Sequence, residues 1–275
     1  MSRQTLPFFN QSFRRFASGS AGFGIVAASL VAAIALTGCS TMPSWQESKI
    51  VPIEGEEAAG PISVRVDNVA GDVRVRTSRD ITRPVVNVRP RATGDIGRSD
   101  PESLVTMSAH SSTSQGLVLQ IVAVAEPGYE NLVAADIDVW VPALVDIQVR
   151  TSAGRVQAVG ATGAVDIEVG TSSTPGGSID VRAADELVES VRLITTDGNI
   201  HLAMPPGSTG AIELTSLDGN AEVRAASSPV SRVTASKGRW SGIIAQGRNA
   251  IQATTNEGNV RVIVMPDPVS YMPSK

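Results

Sequence analysis

Val191-Arg192-Leu193-Ile194-Thr195-Thr196-Asp197-Gly198-Asn199-Ile200-His201-Leu202 decides the fold. Two runs of alternating apolar and polar residues flank a turn at Asp197-Gly198, and a period of two marks a strand with one buried face. The layout recurs on Gly71, Gly154, Gly177, Gly198, Gly219, Gly238 and Gly258, with spacings of 23, 21, 21, 19 and 20 residues from Gly154 onward. Two and four residues after the glycine stand apolar pairs such as Val73/Val75, Ile179/Val181, Ile200/Leu202 and Val260/Val262, with polar residues between them. Seven and five residues before it stand Val64/Val66, Ile147/Val149, Val191/Leu193, Ile212/Leu214 and Ile251/Ala253. The Gly177 copy needs a three-residue insertion, Thr174-Pro175-Gly176, to align Ile167/Val169, and the Gly238 copy departs from the pattern. Thr151, Thr174, Thr195, Ser216 and Thr255 mark the turns.

A period held near 20 predicts an all-β solenoid, because each coil must return to one azimuth before stacking on the last. Consecutive copies are then expected to stack in chain order. The Asp-Gly turns also suit β-hairpins, so an antiparallel meander or sandwich is the alternative. The solenoid is expected over residues 61–264, with degenerate repeats in 61–140, regular ones in 141–264 and a tail from 265 to 275. Strands are still legible at Val85–Val88, Leu117–Val124 and Ile137–Val141, and the 83-residue gap between Gly71 and Gly154 is close to four periods. Trp240 falls on an inward position, suited to filling the wide end of the coil. Met265-Pro266-Asp267-Pro268 would blunt the edge after the last strand, because proline offers no N–H. Solenoid ends otherwise invite end-to-end self-association.

The Thr-Ser-x-Gly-x-Val copies, at Thr151-Ser152-Ala153-Gly154, Thr195 to Gly198, Thr215 to Gly219 and Thr254 to Gly258, resemble the bacterial "putative adhesin" domain family of unknown function. That resemblance implies a single-stranded, right-handed β-helix and a non-catalytic binding or structural role. It supplies no catalytic residues.

The N-terminal 38 residues have the layout of an export signal: Arg3, Arg14 and Arg15, then an apolar run from Ala21 to Leu36. Leu36-Thr37-Gly38-Cys39 resembles the lipobox of bacterial lipoproteins, which implies a diacylglycerol on Cys39. Ser40, rather than Asp, points to the outer membrane. Residues 39–60 read as the lipidated cysteine and its tether. The mature chain keeps 20 basic and 27 acidic residues, a net charge of −7. That balance argues against nucleic acid and leaves protein or glycan as partner. Cys39 is the only cysteine and is assigned to lipid, so no internal disulfide, thiolate metal site or cysteine nucleophile is expected.

Stacking turns equal offsets into ladders. Six residues before the glycines the order is Gln148, Glu168, Arg192, Glu213, Arg232, Gln252, an alternation of sign that pairs with itself. Three residues after them it is Gln157, Asp180, His201, Glu222, Ser241, Arg261. His201 between Asp180 and Glu222 is therefore a candidate for a divalent metal or for proton transfer, against the plainer reading of a solvated histidine. Trp140 lies on the polar phase of its strand and is the candidate for sugar stacking. His110 has no partner nearby in sequence. No Ser-His-Asp set, nucleotide loop or His-rich motif is visible, so neither catalysis nor a cofactor is expected. Polysaccharide lyases also use β-helices, which leaves a carbohydrate-active enzyme as the runner-up and a filament-forming scaffold as a third reading.

Overall fold

The computed structural model describes residues 48–55, 60–113, 117–226 and 228–272. Cys39 and the segment read as an export signal lie outside them. Among the described residues, twenty strands form one wrapped sheet with two facing walls. The first wall runs β2 (Ile53–Gly55), β6 (Val105–Ser112), β7 (Val118–Ala125), β3 (Pro61–Asn68), β9 (Ala143–Thr151), β11 (Val165–Val169), β13 (Val191–Asp197), β19 (Ala250–Glu257), β15 (Gly210–Ser216), β18 (Arg239–Ile244), β17 (Val230–Ser236). The second runs β1 (Lys49–Ile50), β5 (Val85–Ala92), β8 (Val133–Val141), β4 (Val73–Thr77), β10 (Val156–Ala161), β12 (Ile179–Ala183), β14 (Ile200–Met204), β20 (Val260–Val264), β16 (Ala221–Arg224). The seven coils stack in parallel, so the all-β solenoid stands, and antiparallel pairs occur only toward the ends.

Chain order holds only in the middle. The first repeat, β3/β4, sits between β7/β8 and β9/β10, and the last, β19/β20, sits between β13/β14 and β15/β16. Gly71 and Gly154 are separated not by further coils in sequence but by one coil, β7/β8, and two antiparallel partners, β5 and β6. The prolines after Val264 cap no edge, since β20 lies inside its wall. Residues 49–55, assigned to the tether by sequence, supply the two strands that cover the N-terminal edges.

The glycines explain the period. An added Cβ on Gly154 would lie 2.3 Å from the carbonyl oxygen of Gly71, on Gly177 2.0 Å from that of Gly154, on Gly258 2.4 Å from that of Gly198, and on Gly219 1.9 Å from that of Gly258. Backbones touch at this corner, and any side chain would push the coils apart. Gly238 does not join the column, because it turns the β17–β18 hairpin. Buried hydroxyls tie neighbouring coils together: Thr195 donates to the Gly177 carbonyl at 2.8 Å, Thr255 to that of Gly198 at 3.0 Å and Ser216 to that of Gly258 at 2.6 Å. One residue beyond the glycine a second ladder runs, where Asn199 Oδ1 accepts from the Asn259 N–H at 2.8 Å and Asn259 Oδ1 from that of Asn220 at 3.0 Å. The hydroxyls satisfy part-buried carbonyls, whereas the Asn ladder runs along the exposed side of the corner.

Between the walls lies a narrow core of Val, Ile, Leu and Ala. β-branched side chains suit it, packing well on a pleated surface. Trp240 is 9% exposed and faces Leu214 and Ala235, while Gly242 leaves room for its ring. It fills the C-terminal end of the core, where no further coil follows.

Candidate binding face

The seam between the walls is packed, so chemistry is confined to their outward rows. On the first wall one row reads Arg65, Gln148, Asp166, Arg192, Gln252, Glu213. The expected row misplaces Glu168. Val165, twelve residues before Gly177, takes the place that Ile147 holds seven before Gly154, so the insertion is five residues long. Glu168 instead neighbours Arg150, and Arg232 leaves the row altogether. Arg150 lies 2.5 Å from Asp166 and 3.6 Å from Glu168; Arg192 lies 2.9 and 3.2 Å from the same two carboxylates. Burial pushes the Asp166 pKa up, but the Arg150 and Arg192 guanidiniums outweigh it and hold the carboxyl below its ordinary value. Self-pairing thus accounts for these charges.

On the second wall the row reads Asp138, Arg74, Gln157, Asp180, His201, Arg261, Glu222. Because β20 is inserted, Arg261 stands between His201 and Glu222 and pairs with Glu222. His201 is therefore flanked by one carboxylate and one guanidinium, not by two carboxylates. Asp180 is 8% exposed and accepts from Arg182 Nη2 at 2.6 Å and Gln157 Nε2 at 3.1 Å. Burial raises its pKa, yet neighbouring His201, Arg182 and Gln157 together lower it to about 2. His201, also 8% exposed, has Nδ1 3.5 Å from Asp180 Oδ1, too long for a good hydrogen bond, and neither imidazole nitrogen has a hydrogen-bond partner among the described residues. The tail covers it. Tyr271 stacks on the imidazole at 5.0 Å between centroids and 11° between planes. Among the described residues no group of three or more His, Cys, Asp or Glu side chains is arranged to hold a metal ion.

Trp140 lies elsewhere, on the outward side of β8 and half-buried. Arg76, its neighbour on β4, places its guanidinium carbon 4.9 Å from the ring centroid. Around them a pocket of about 310 Å³ is lined by Ser48, Arg74, Arg76, Asn87, Arg89, Asp136, Asp138 and Trp140. Arg89 and Arg91 reach Asp136 at 2.7 and 3.1 Å, and Arg76 and Arg74 reach Asp138 at 3.4 and 3.7 Å. Burial raises the Asp136 pKa, but Arg89, the Asp72 N–H and Arg91 bring it below its usual value. Arg76 Nε is buried without a hydrogen-bond partner. Sequence found Trp140 by its phase, but not the arginines, which sit on strands that pair only in the folded chain. His110, outward on β6, lies beside Gln120 at the far end of the first wall and joins neither cluster.

The fold is an all-β solenoid, and the family comparison agrees with it. Residues 131–263, from β8 into β20, match the family model described as Toastrack DUF4097, a domain of unknown function. No curated protein matches. Among solved structures, the chain is similar to a "putative cell adhesion protein" from Clostridium sporogenes ATCC 15579, at 10% identity over 80% of this chain and 100% of that one, with a TM-score of 0.40. It is also similar to a "putative adhesin" from Bacteroides fragilis NCTC 9343, at 12% identity over 81% and 99% of the two chains, with a TM-score of 0.33. The expectation of a repeat domain of unknown function is met over these residues.

Proposed function

We propose that the protein is a non-catalytic binding module of the bacterial envelope, lipid-anchored through Cys39 at the outer membrane. Its ligand is a glycan held on the second wall, stacked on Trp140 and oriented by Arg74, Arg76 and Arg89. The observation that carries this reading is the Trp140–Arg76 pocket, where an aromatic face and several fixed donors converge. Sugars need that combination of a stacking surface and oriented hydrogen-bond donors. The electrostatics favour binding over acid–base catalysis. Glu130, Asp136, Asp166, Asp180 and Glu222 are all shifted downward, whereas a general acid needs a carboxyl held protonated near neutral pH.

A glycan array probed with residues 40–275 tests the ligand. Binding that falls about tenfold or more in Trp140→Ala supports the reading, and a hit that is cleaved or indifferent to Trp140 overturns it. Radiolabelled palmitate tests the anchor: incorporation should be lost in Cys39→Ser, with release from the membrane fraction.

A further inference from the structure

Arg224, Arg232, Lys237, Arg239 and Arg248 follow one another with no acidic residue between Glu222 and Glu257. In a chain of net charge −4, setting these five cations aside leaves the remainder at −9. The fold gathers them at one end. Arg224 closes β16, Arg232 lies in β17, Lys237 turns the hairpin, Arg239 opens β18, and Arg248 lies in the turn before β19. All five are exposed. Arg224 meets Glu222 at 3.3 Å, while Arg232, Lys237, Arg239 and Arg248 form no ion pair among the described residues. Arg150, Arg182, Arg192 and Arg261, within the walls, each have a carboxylate partner.

Cations on an edge strand also deter pairing with another chain. That need is already served by a second device. Arg232 has φ 52°, and the β17–β18 register slips between Ser231 and Thr234, so the outer edge is bulged and cannot template a strand. The partner is therefore not an added strand. Arg232 and Lys237 stand five residues apart along β17 and into its turn, a separation of at most about 17 Å at ~3.3 Å per residue, which suits a linear polyanion running along this end. A bilayer or a duplex is broad enough to meet the acidic remainder of the molecule. Single-stranded nucleic acid binds on stacked aromatic side chains, and Trp240, the aromatic at this end, is buried.

We infer that the C-terminal end of the solenoid is a docking surface for an anionic polysaccharide, with Arg232, Lys237 and Arg239 pairing to its carboxylate or phosphate groups. This surface is separate from the Trp140 pocket and does not depend on it.

The test is equilibrium binding of the full-length protein in mild detergent to polygalacturonate, with neutral dextran, duplex DNA and phosphatidylglycerol vesicles as competitors. Binding to polygalacturonate should weaken with added salt and fall by about tenfold or more in the triple variant Arg232→Glu, Lys237→Glu, Arg239→Glu. The reversal keeps the edge charged, so protection against strand pairing is preserved. The double variant Arg232→Lys, Arg239→Lys should bind as the wild type does, and so should Trp140→Ala. Equal binding by the triple variant, no binding by the wild type, or preference for DNA or vesicles overturns the proposal. If the triple variant fails to fold, loss of binding in the double lysine variant overturns it, and retention supports it.

Discussion

The middle coils and the end coils are built from one repeat but assembled by different rules. From β9 to β14 each coil stacks on its predecessor, and its glycine touches the carbonyl of the one before. At both ends a coil distant in sequence is inserted, and antiparallel strands close the stack. A periodic sequence specifies the shape of each coil, because alternation, turn hydroxyl and glycine are all local. It does not specify which coil sits next to which. That information lies in loops that must carry the chain across the stack, such as the turn after β18.

The largest effect should come from the glycine column. Gly258→Ala forces a Cβ to 2.4 Å from the Gly198 oxygen at φ 114°, whereas Gly128 has φ 90° with nothing within 4 Å. Urea unfolding should show a loss of about 3 kcal/mol or more at the first site and about 1 kcal/mol at the second, where only backbone strain operates. Equal losses would mean that the coils do not touch at the corner. Leu193→Ala in the centre should cost about 3 kcal/mol, against less than about 1 kcal/mol for half-buried Val223→Ala on β16. A similar cost at both sites would remove the distinction between packed middle and thin end.

Acid sharpens the contrast further. The Asp180 pKa is depressed to about 2, so its charged form stabilises the fold above the ordinary carboxylate value, and that contribution is lost as pH falls from about 4 to about 2. The full difference is worth about 2 kcal/mol. Asp180→Asn should flatten the pH dependence of the melting temperature in that window, and an unchanged slope would contradict the burial geometry. The smallest effect belongs to the first-wall ion row. Arg150→Ala should cost under about 1 kcal/mol, because these partly exposed pairs are screened.

The strand pairs around Gly71, Gly154, Gly198, Gly219 and Gly258 were legible in the sequence because each rests on local alternation. The five-residue insertion before Gly177 was not, because Ile167/Val169 and Val165/Ile167 both satisfy the alternation, and only pairing with Ile147/Val149 chooses between them. A slip of two residues preserves the facing of every side chain and so leaves no trace in the hydrophobic pattern. His201 was correctly placed beside Asp180 but wrongly beside Glu222, since the sequence does not announce that Arg261 enters between them. The acidic balance suggested a mixed surface, and averaging hid the acid-free stretch from Arg224 to Arg248.

The insertion of the last coil admits a direct test. Cys39 is the only cysteine, so a Cys39→Ser background accepts engineered pairs. Arg192 neighbours Gln252, and Gln252 neighbours Glu213. Adjacent strands lie about 4.8 Å apart and alternate ones about 9.6 Å, while a disulfide needs Cα atoms within about 7 Å. Arg192→Cys with Gln252→Cys should therefore oxidise to an intramolecular disulfide, and Arg192→Cys with Glu213→Cys should not. Cross-linking of the second pair without the first would mean that the coils stack in chain order after all.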